Sequence, residues 1–117
     1  LSVQEFPGYN SVCISYNVLQ TIIREQIPSW KAALTNINGI YLITDKKTGK
    51  LYVGSATGDG GIWQRWSSYA ANGHGGNSEF RKLLKDRESQ YSNNFQYSII
   101  GEYWGQSQRC PVRFLHG

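Results

Sequence analysis

Two tyrosines, an arginine and a third tyrosine are the residues whose types and spacing could do chemistry. Tyr41 and Tyr52 each lie in a short apolar run, and Tyr69 follows Arg65 by one helical turn. A guanidinium group binds phosphate oxygens through paired hydrogen bonds. A phenol, with an ordinary pKa of about 10, takes part in proton transfer at neutral pH when a cation or metal assists it. Taken singly, these residues are also typical of packed strand aromatics and of a solvated helix arginine.

The segment from 39 to 54 decides whether Tyr41 and Tyr52 can act together. The sequence predicts strands over 39–44 and 50–54, joined by a turn in which Gly49 suits a positive φ. A four-residue loop pairs Tyr41 with Gly54 and puts both tyrosines on one face as diagonal neighbours, whereas a five-residue loop without a bulge would separate them. The unsubstituted Gly54 leaves space beside the Tyr41 ring.

The remaining elements follow from hydrophobic periodicity. Helices are predicted over 15–27, 29–37, 62–72 and 78–88, with Ser15 as a cap and Pro28 as a stop, and a third strand over 94–104. The predicted fold is α+β, with a small three-stranded antiparallel sheet flanked by helices. We predict a helical extension over 1–38, a central domain over 39–104 and an irregular tail over 105–117.

Composition and charge limit the possible functions. The 117 residues fit one compact domain, and the net charge of +4 lies wholly after residue 38, where ten basic side chains face six acidic ones. That excess permits an anionic partner such as nucleic acid and is also common on proteins that bind none. Two scattered cysteines, Cys13 and Cys110, leave a disulfide open but favour a reducing cytoplasm, and zinc is not expected. No apolar run suits a membrane span and the first residues are unlike a signal peptide.

An ordered set of motifs resembles a known family. "GIY" at 39–41, "YVG" at 52–54, the arginine of "QRW" and the tyrosine of "RWSSY" resemble the GIY-YIG nuclease domain over about 39–104. The resemblance implies hydrolysis of a DNA phosphodiester with one divalent metal, Mg²⁺ or Mn²⁺. It implies Tyr41 as the base or nucleophile-orienting phenol and Tyr52 as its hydrogen-bonding partner. It further implies that Arg65 holds the scissile phosphate.

Other candidates surround this set. Tyr69 matches a position held by His or Tyr in the family, and its alternative is a core residue beside Trp66. Ser55 stands where some members have a lysine. His74, in a glycine-rich loop, is a possible accessory proton-transfer group or a surface histidine, while Asn77 is expected to cap a helix. The basic side chains of the next helix could contact DNA phosphates or form a solvated face; they are Arg81, Lys82 and Lys85.

The metal ligand is where this chain departs from the family. The resemblance implies a glutamate on a helix after the third strand, but residues 105–117 contain no Asp, Glu or Asn. Glu102 is a weak candidate at the end of that strand, and Asp59 and Glu79 are not singled out by spacing. Three explanations stay open: a shortened reading frame, a truncated protein that binds without cutting, and a ligand from a partner chain.

The sequence therefore predicts a DNA endonuclease of GIY-YIG type, with a catalytically inactive nucleic-acid-binding module as the alternative. A third possibility, a structural or protein-interaction domain, predicts no salt-dependent DNA binding. Oligomeric state and DNA specificity are left open.

Overall fold

A computed structural model describes residues 3–85 and 90–101. Within those ranges the helices and strands, in chain order, are β1 Cys13–Ser15, α1 Tyr16–Glu25, α2 Pro28–Thr35, β2 Gly39–Asp45, β3 Leu51–Ala56, α3 Gly61–Asn72, α4 Ser78–Lys85 and β4 Phe95–Gly101. Short 3-10 helices precede β1 and β4, at Tyr9–Ser11 and Tyr91–Asn94. None of the described helices has the length and apolar character needed to cross a bilayer.

The described strands form one antiparallel sheet in the order β1-β4-β2-β3. The α+β class is confirmed, but in the described ranges the sheet has four strands where three were predicted. The extra strand is β1, which pairs Cys13 with Ser98 and Ile14 with Tyr97. Three residues are too few to show the alternation by which a strand is predicted from sequence. The strand forms because β4 offers it an edge with which to pair. Cys13 is not a free thiol, and Cys110 lies outside the described residues.

The hairpin between β2 and β3 has the register that the four-residue loop predicts. Tyr41 pairs with Gly54 and Ile43 with Tyr52, so the two tyrosines share a face, as predicted. Asp45 fixes the turn: its carboxylate accepts from the Lys47 amide at 3.0 Å and from the Tyr91 hydroxyl at 2.7 Å. A loop of a different length would break these hydrogen bonds of the buried Asp45 carboxylate.

The predicted helices form, with one correction at Pro28. Ser15 caps α1 as predicted, with its hydroxyl accepting from the Val18 amide at 3.2 Å. Pro28 does not end that helix. Gln26, with φ of 50°, ends it, and Pro28 opens α2 as a first-turn residue. Proline suits that position because its fixed φ is helical and its missing N–H has no partner there anyway. The predicted ends at 88 and 104 lie outside the described residues.

One face of the sheet and the helices enclose a single core. The helices of the front segment supply Leu19, Ile22, Trp30 and Leu34 to it, so this segment packs on the sheet. The division at residue 38 stays a prediction. Several fully buried side chains around the predicted site are aromatic and contact one another or Tyr69, namely Tyr41, Trp66, Phe80, Phe95 and Tyr97. This aromatic cluster fixes where Tyr41 and its neighbours can lie.

Candidate functional site

Tyr41 lies in the middle of β2 with its ring directly over Gly54. A Cβ built on Gly54 would lie 2.5 Å from the Tyr41 hydroxyl oxygen and 2.6 Å from Cε1, far inside ordinary contact. The space predicted beside the ring is thus filled by the ring itself. Only glycine permits this approach of strand and phenol, so the glycine of the motif "YVG", Gly54, is needed for packing.

The Tyr41 hydroxyl is hydrogen-bonded to the Tyr69 hydroxyl at 3.3 Å, and either oxygen could donate. The two rings meet edge to face with centroids 6.1 Å apart, and Trp66 meets Tyr41 in the same way at 6.0 Å. Tyr69 therefore does more than fill the core, although it is only 2% exposed. A helix and a central strand are joined here through two phenols.

Tyr52 takes a different neighbour. Its ring packs edge to face on Phe80 with centroids 4.3 Å apart. Tyr41 is thus hydrogen-bonded to Tyr69. Tyr52 lies on the same face of the sheet as Tyr41, on the neighbouring strand β3. Burial raises the pKa of Tyr52, and the charges of Asp45 and Glu79 raise it further.

Arg65 is held on two sides. Its Nη1 donates to the Gly75 carbonyl at 3.2 Å, and its Nη2 donates to the Tyr69 hydroxyl at 3.4 Å. The guanidinium carbon lies 5.2 Å from the centre of the Tyr69 ring, within cation–π range. A guanidinium has five N–H donors, so this fixed group keeps donors for an anion.

The glycine-rich loop after α3 supplies the second support. The Asn72 side chain accepts from the His74 amide at 3.0 Å and from the Gly75 amide at 2.8 Å. Gly75 has φ of 56°, and a Cβ there would lie 3.0 Å from the Tyr69 ring. The loop can therefore cover the ring and offer its carbonyl to Arg65 only with glycine at position 75.

His74 belongs to this loop and is half-buried. Its Nδ1 accepts from the Gly76 amide at 2.9 Å. In the neutral imidazole the proton is therefore on Nε2. The hydrogen bonds found for His74 lie within the loop and shape it. The loop contacts Arg65 through the carbonyl of the next residue, Gly75.

Asn77 connects the loop to α4 and to the tyrosines. Its carbonyl oxygen accepts from the amides of Glu79 and Phe80 at 2.8 and 3.1 Å, as predicted for a cap. That leaves its amide nitrogen to donate, and a hydrogen bond from Asn77 lowers the pKa of Tyr69. The Tyr69 oxygen accepts from Arg65 at 3.4 Å, and its own proton can be donated to Tyr41.

The balance of these effects keeps Tyr69 protonated. Burial raises its pKa most, Tyr41 adds to the rise, and the nearby Arg65 and Asn77 oppose it without reversing it. For Arg65, burial alone would lower the pKa, but Tyr41 and Tyr69 more than compensate and raise it. At neutral pH the site therefore contains a cation beside a neutral phenol donor.

The carboxylates of the described ranges do not form a metal site. Among residues 3–85 and 90–101 there is no group of three His, Cys, Asp or Glu side chains that could hold an ion. Asp45 is buried and used by the turn. Asp59 and Glu79 are exposed. Of these two, Glu79 acts on a site residue, because its charge raises the pKa of Tyr52. Glu102 lies outside the described residues. Because no such group is found within the described ranges, their side chains do not fit a divalent ion.

The other predicted residues lie around this centre. Ser55 is exposed at the end of β3 and borders a cleft that Arg65 also borders. The basic side chains of α4 are all exposed and are Arg81, Lys82 and Lys85. They are free to meet solvent or an anion, and their DNA contacts stay a prediction.

Sequence reasoning missed the supports of the arginine. The Gly75 carbonyl and the Asn72 side chain hold the loop against Arg65. Trp66 packs against the ring of Tyr41, and Tyr97 packs against the ring of Tyr69. The run "NGHGGN" contained a signal, because three glycines between two asparagines indicate a loop with several left-handed residues. Nothing in that run shows which side chain the loop would meet.

Comparison with family models, with curated proteins and with solved structures gives no match for this chain.

Proposed function

We propose that this chain binds the phosphodiester backbone of DNA at Arg65 and hydrolyses it as a GIY-YIG-type endonuclease. The observation that supports this is the joining of Tyr41, Tyr69 and Arg65 by hydrogen bonds from three separate parts of the chain: β2, α3 and the loop carbonyl at Gly75. Tyr41 of the first strand motif thus lies beside the helix residues Arg65 and Tyr69, which supports the proposal for three of the four motif residues.

Arg65 is proposed to bind the non-bridging oxygens of the scissile phosphate. Its hydrogen bonds to Gly75 and Tyr69 hold the guanidinium before a ligand arrives. A donor already held in place does not have to reorganise as negative charge builds on the phosphate oxygens. Planar paired donors also suit two oxygens of one phosphate.

Tyr41 is proposed to orient the attacking water beside that phosphate. With Tyr69 as the donor in the Tyr41–Tyr69 hydrogen bond, the Tyr41 proton is left to point away from the pair. The raised pKa of Tyr69 makes it a donor and not a base at neutral pH. Tyr52, on the same face but packed on Phe80, is proposed to line the site without bonding to Tyr41.

The resemblance also implies Mg²⁺ or Mn²⁺, which would neutralise phosphate charge and activate water. The described side chains do not fit such an ion, so no step is assigned to it here. A carboxylate from outside residues 3–85 and 90–101, or from a partner chain, would be required.

A second candidate function is DNA binding without hydrolysis. It is favoured by the same mismatch, because the described ranges hold an anion-binding arginine but no carboxylate group for an ion. Both candidates need Arg65, and they differ in whether the bound phosphodiester is cut.

Nicking of supercoiled plasmid separates the two candidates. Wild type, Arg65→Ala and Tyr41→Phe are assayed with Mg²⁺, with Mn²⁺ and with chelator, and Arg24→Ala is the control, since Arg24 is exposed on α1 and paired with Glu25. Endonuclease function predicts metal-dependent nicking that Arg65→Ala and Tyr41→Phe abolish and Arg24→Ala preserves. Binding without nicking supports the second candidate. The absence of both nicking and salt-dependent binding in folded protein contradicts the proposal.

A further inference from the structure

The cleft that Ser55 and Arg65 both border is not lined by the site tyrosines. It has a volume of about 280 Å³ and lies where β3 ends and α3 begins. Its polar lining consists of Ser55, Thr57, Gln64, Arg65 and Ser68. Small-molecule sites usually enclose about 300–1,000 Å³, so this cleft suits part of an extended ligand better than a whole cofactor.

The lining has one positive charge and no carboxylate. Arg65 is its only ionised side chain, and the other polar groups are three hydroxyls and one amide. Asp59, in the same loop, is exposed and is not part of the lining. Neutral hydroxyls and amides beside an arginine are the groups with which proteins contact the phosphates and sugars of DNA without reading sequence.

The groups of the cleft are partly fixed before any ligand binds. Gln64 lies across Gly60, where an added Cβ would be 2.5 Å from the Gln64 Cβ. The Ser68 hydroxyl contacts the Gln64 carbonyl at 3.4 Å. Arg65 is anchored through Nη1 to Gly75 and through Nη2 to Tyr69. Its side chain also lines the cleft, so it borders both the tyrosine site and the cleft.

We infer that this cleft is a second phosphate-sugar subsite, which binds the nucleotide next to the scissile phosphate on the same DNA strand. The inference rests on the proposed function, because it takes the phosphate at Arg65 as its reference point. Thr57, Gln64 and Ser68 become binding residues that the motif does not include. Because their groups are neutral, the subsite adds affinity without adding counterion release.

Two kinds of substitution test the subsite, each with a matched control on α1. Thr57→Val removes a hydroxyl and keeps the side-chain shape, and Ser68→Lys adds a cation inside the cleft. Thr21 is the control position, because its hydroxyl also bonds the carbonyl four residues earlier, that of Asn17, at 3.1 Å. Thr21→Val and Thr21→Lys therefore repeat both changes at a position that does not line the cleft.

The measurement is the dissociation constant for a fluorescent DNA duplex over a series of salt concentrations. Thr57→Val should weaken binding roughly two- to tenfold with the salt slope unchanged. Ser68→Lys should tighten binding and steepen the slope of log K against log salt by about 0.9, as one new phosphate contact does. Both Thr21 variants should stay close to wild type.

Arg65→Ala in the same series distinguishes failure of the subsite from failure of the proposed function. If Arg65→Ala weakens binding but the Thr57 and Ser68 variants behave as the Thr21 controls do, the subsite is overturned and the proposed function stands. If wild type shows no salt-dependent DNA binding, both are overturned. If the variants change binding to RNA and not to DNA, the assignment of the ligand is overturned.

Discussion

Replacing Gly54 by alanine should displace the Tyr41 ring and so disrupt the candidate site. The new methyl group would lie 2.5 Å from the Tyr41 hydroxyl oxygen and 2.6 Å from Cε1, and Tyr41 is only 1% exposed. The ring cannot swing to solvent, so the overpacking should cost about 1–3 kcal/mol. Losing the Tyr41–Tyr69 hydrogen bond should cost about 0.5–1.5 kcal/mol more.

The total of about 1.5–4.5 kcal/mol should lower Tm measurably. An unfolding entropy of about 2.1 cal/mol/K per residue over 117 residues makes 1 kcal/mol equal to about 4 °C. Calorimetry should therefore show Tm lowered by about 6–18 °C. Val53→Ala, one residue earlier and 67% exposed, is the matched control and should cost less than about 1 kcal/mol.

A double-mutant cycle refines this test. Tyr41→Leu removes the ring atoms that the new methyl would meet, so Gly54→Ala should cost little in that background. A cost of Gly54→Ala that is equal in both backgrounds would refute the reasoning, because the methyl would then be meeting something other than the Tyr41 ring. It would also contradict the register that puts the two motif tyrosines on one face.

Three further predictions concern the aromatic cluster and the loop that covers it. Tyr97 is fully buried and its hydroxyl has no partner among the described residues, so Tyr97→Phe should raise the free energy of unfolding by about 1–3 kcal/mol. Tyr16→Phe is the contrast in the same denaturant titration: its hydroxyl donates to two helix carbonyls at 3.1 Å, so this change should lower stability by about 0.5–1.5 kcal/mol; equal effects would contradict the assignment. Burial raises the pKa of Tyr16, Tyr69 and Tyr97 above about 10, so the folded state holds these protons more tightly than the unfolded state does, and the free energy of unfolding should be constant below about pH 10 and fall as pH rises through the higher folded pKa values. Unfolding titrations between about pH 8 and 11 should show this fall, and unchanged stability there would contradict it. Gly75→Ala should lower stability by about 1–2 kcal/mol through its left-handed φ and weaken DNA binding by displacing the carbonyl that holds Arg65; intact binding in an anisotropy titration would show that this support is dispensable.

The parts of the structure that sequence could predict are those set by local rules. The register of Tyr41 against Gly54 follows from loop length and alternation, and the Ser15 and Asn77 caps follow from residue type. Such features depend on neighbours within a few residues. For that reason most helix and strand positions were also predicted to within two residues.

The parts that could not be predicted depend on how distant elements dock. The strand Cys13–Ser15 forms because β4 presents a free edge, which no local pattern encodes. The choice of Tyr69 over Tyr52 as the hydrogen-bond partner of Tyr41 depends on where α3 lies on the sheet. The support of Arg65 by Gly75 depends on the path of a glycine loop, whose residues permit many conformations.

The most direct test of the account is whether Arg65 contacts a DNA phosphate. The affinity of wild type, Arg65→Ala and Arg24→Ala for one DNA duplex is measured over a range of salt concentrations by fluorescence anisotropy. We expect Arg65→Ala to weaken binding and to lower the salt slope by about 0.9, whereas Arg24→Ala should leave both unchanged. Equal effects of the two arginine substitutions, or salt-independent binding by the wild type, would show that Arg65 does not bind a DNA phosphate.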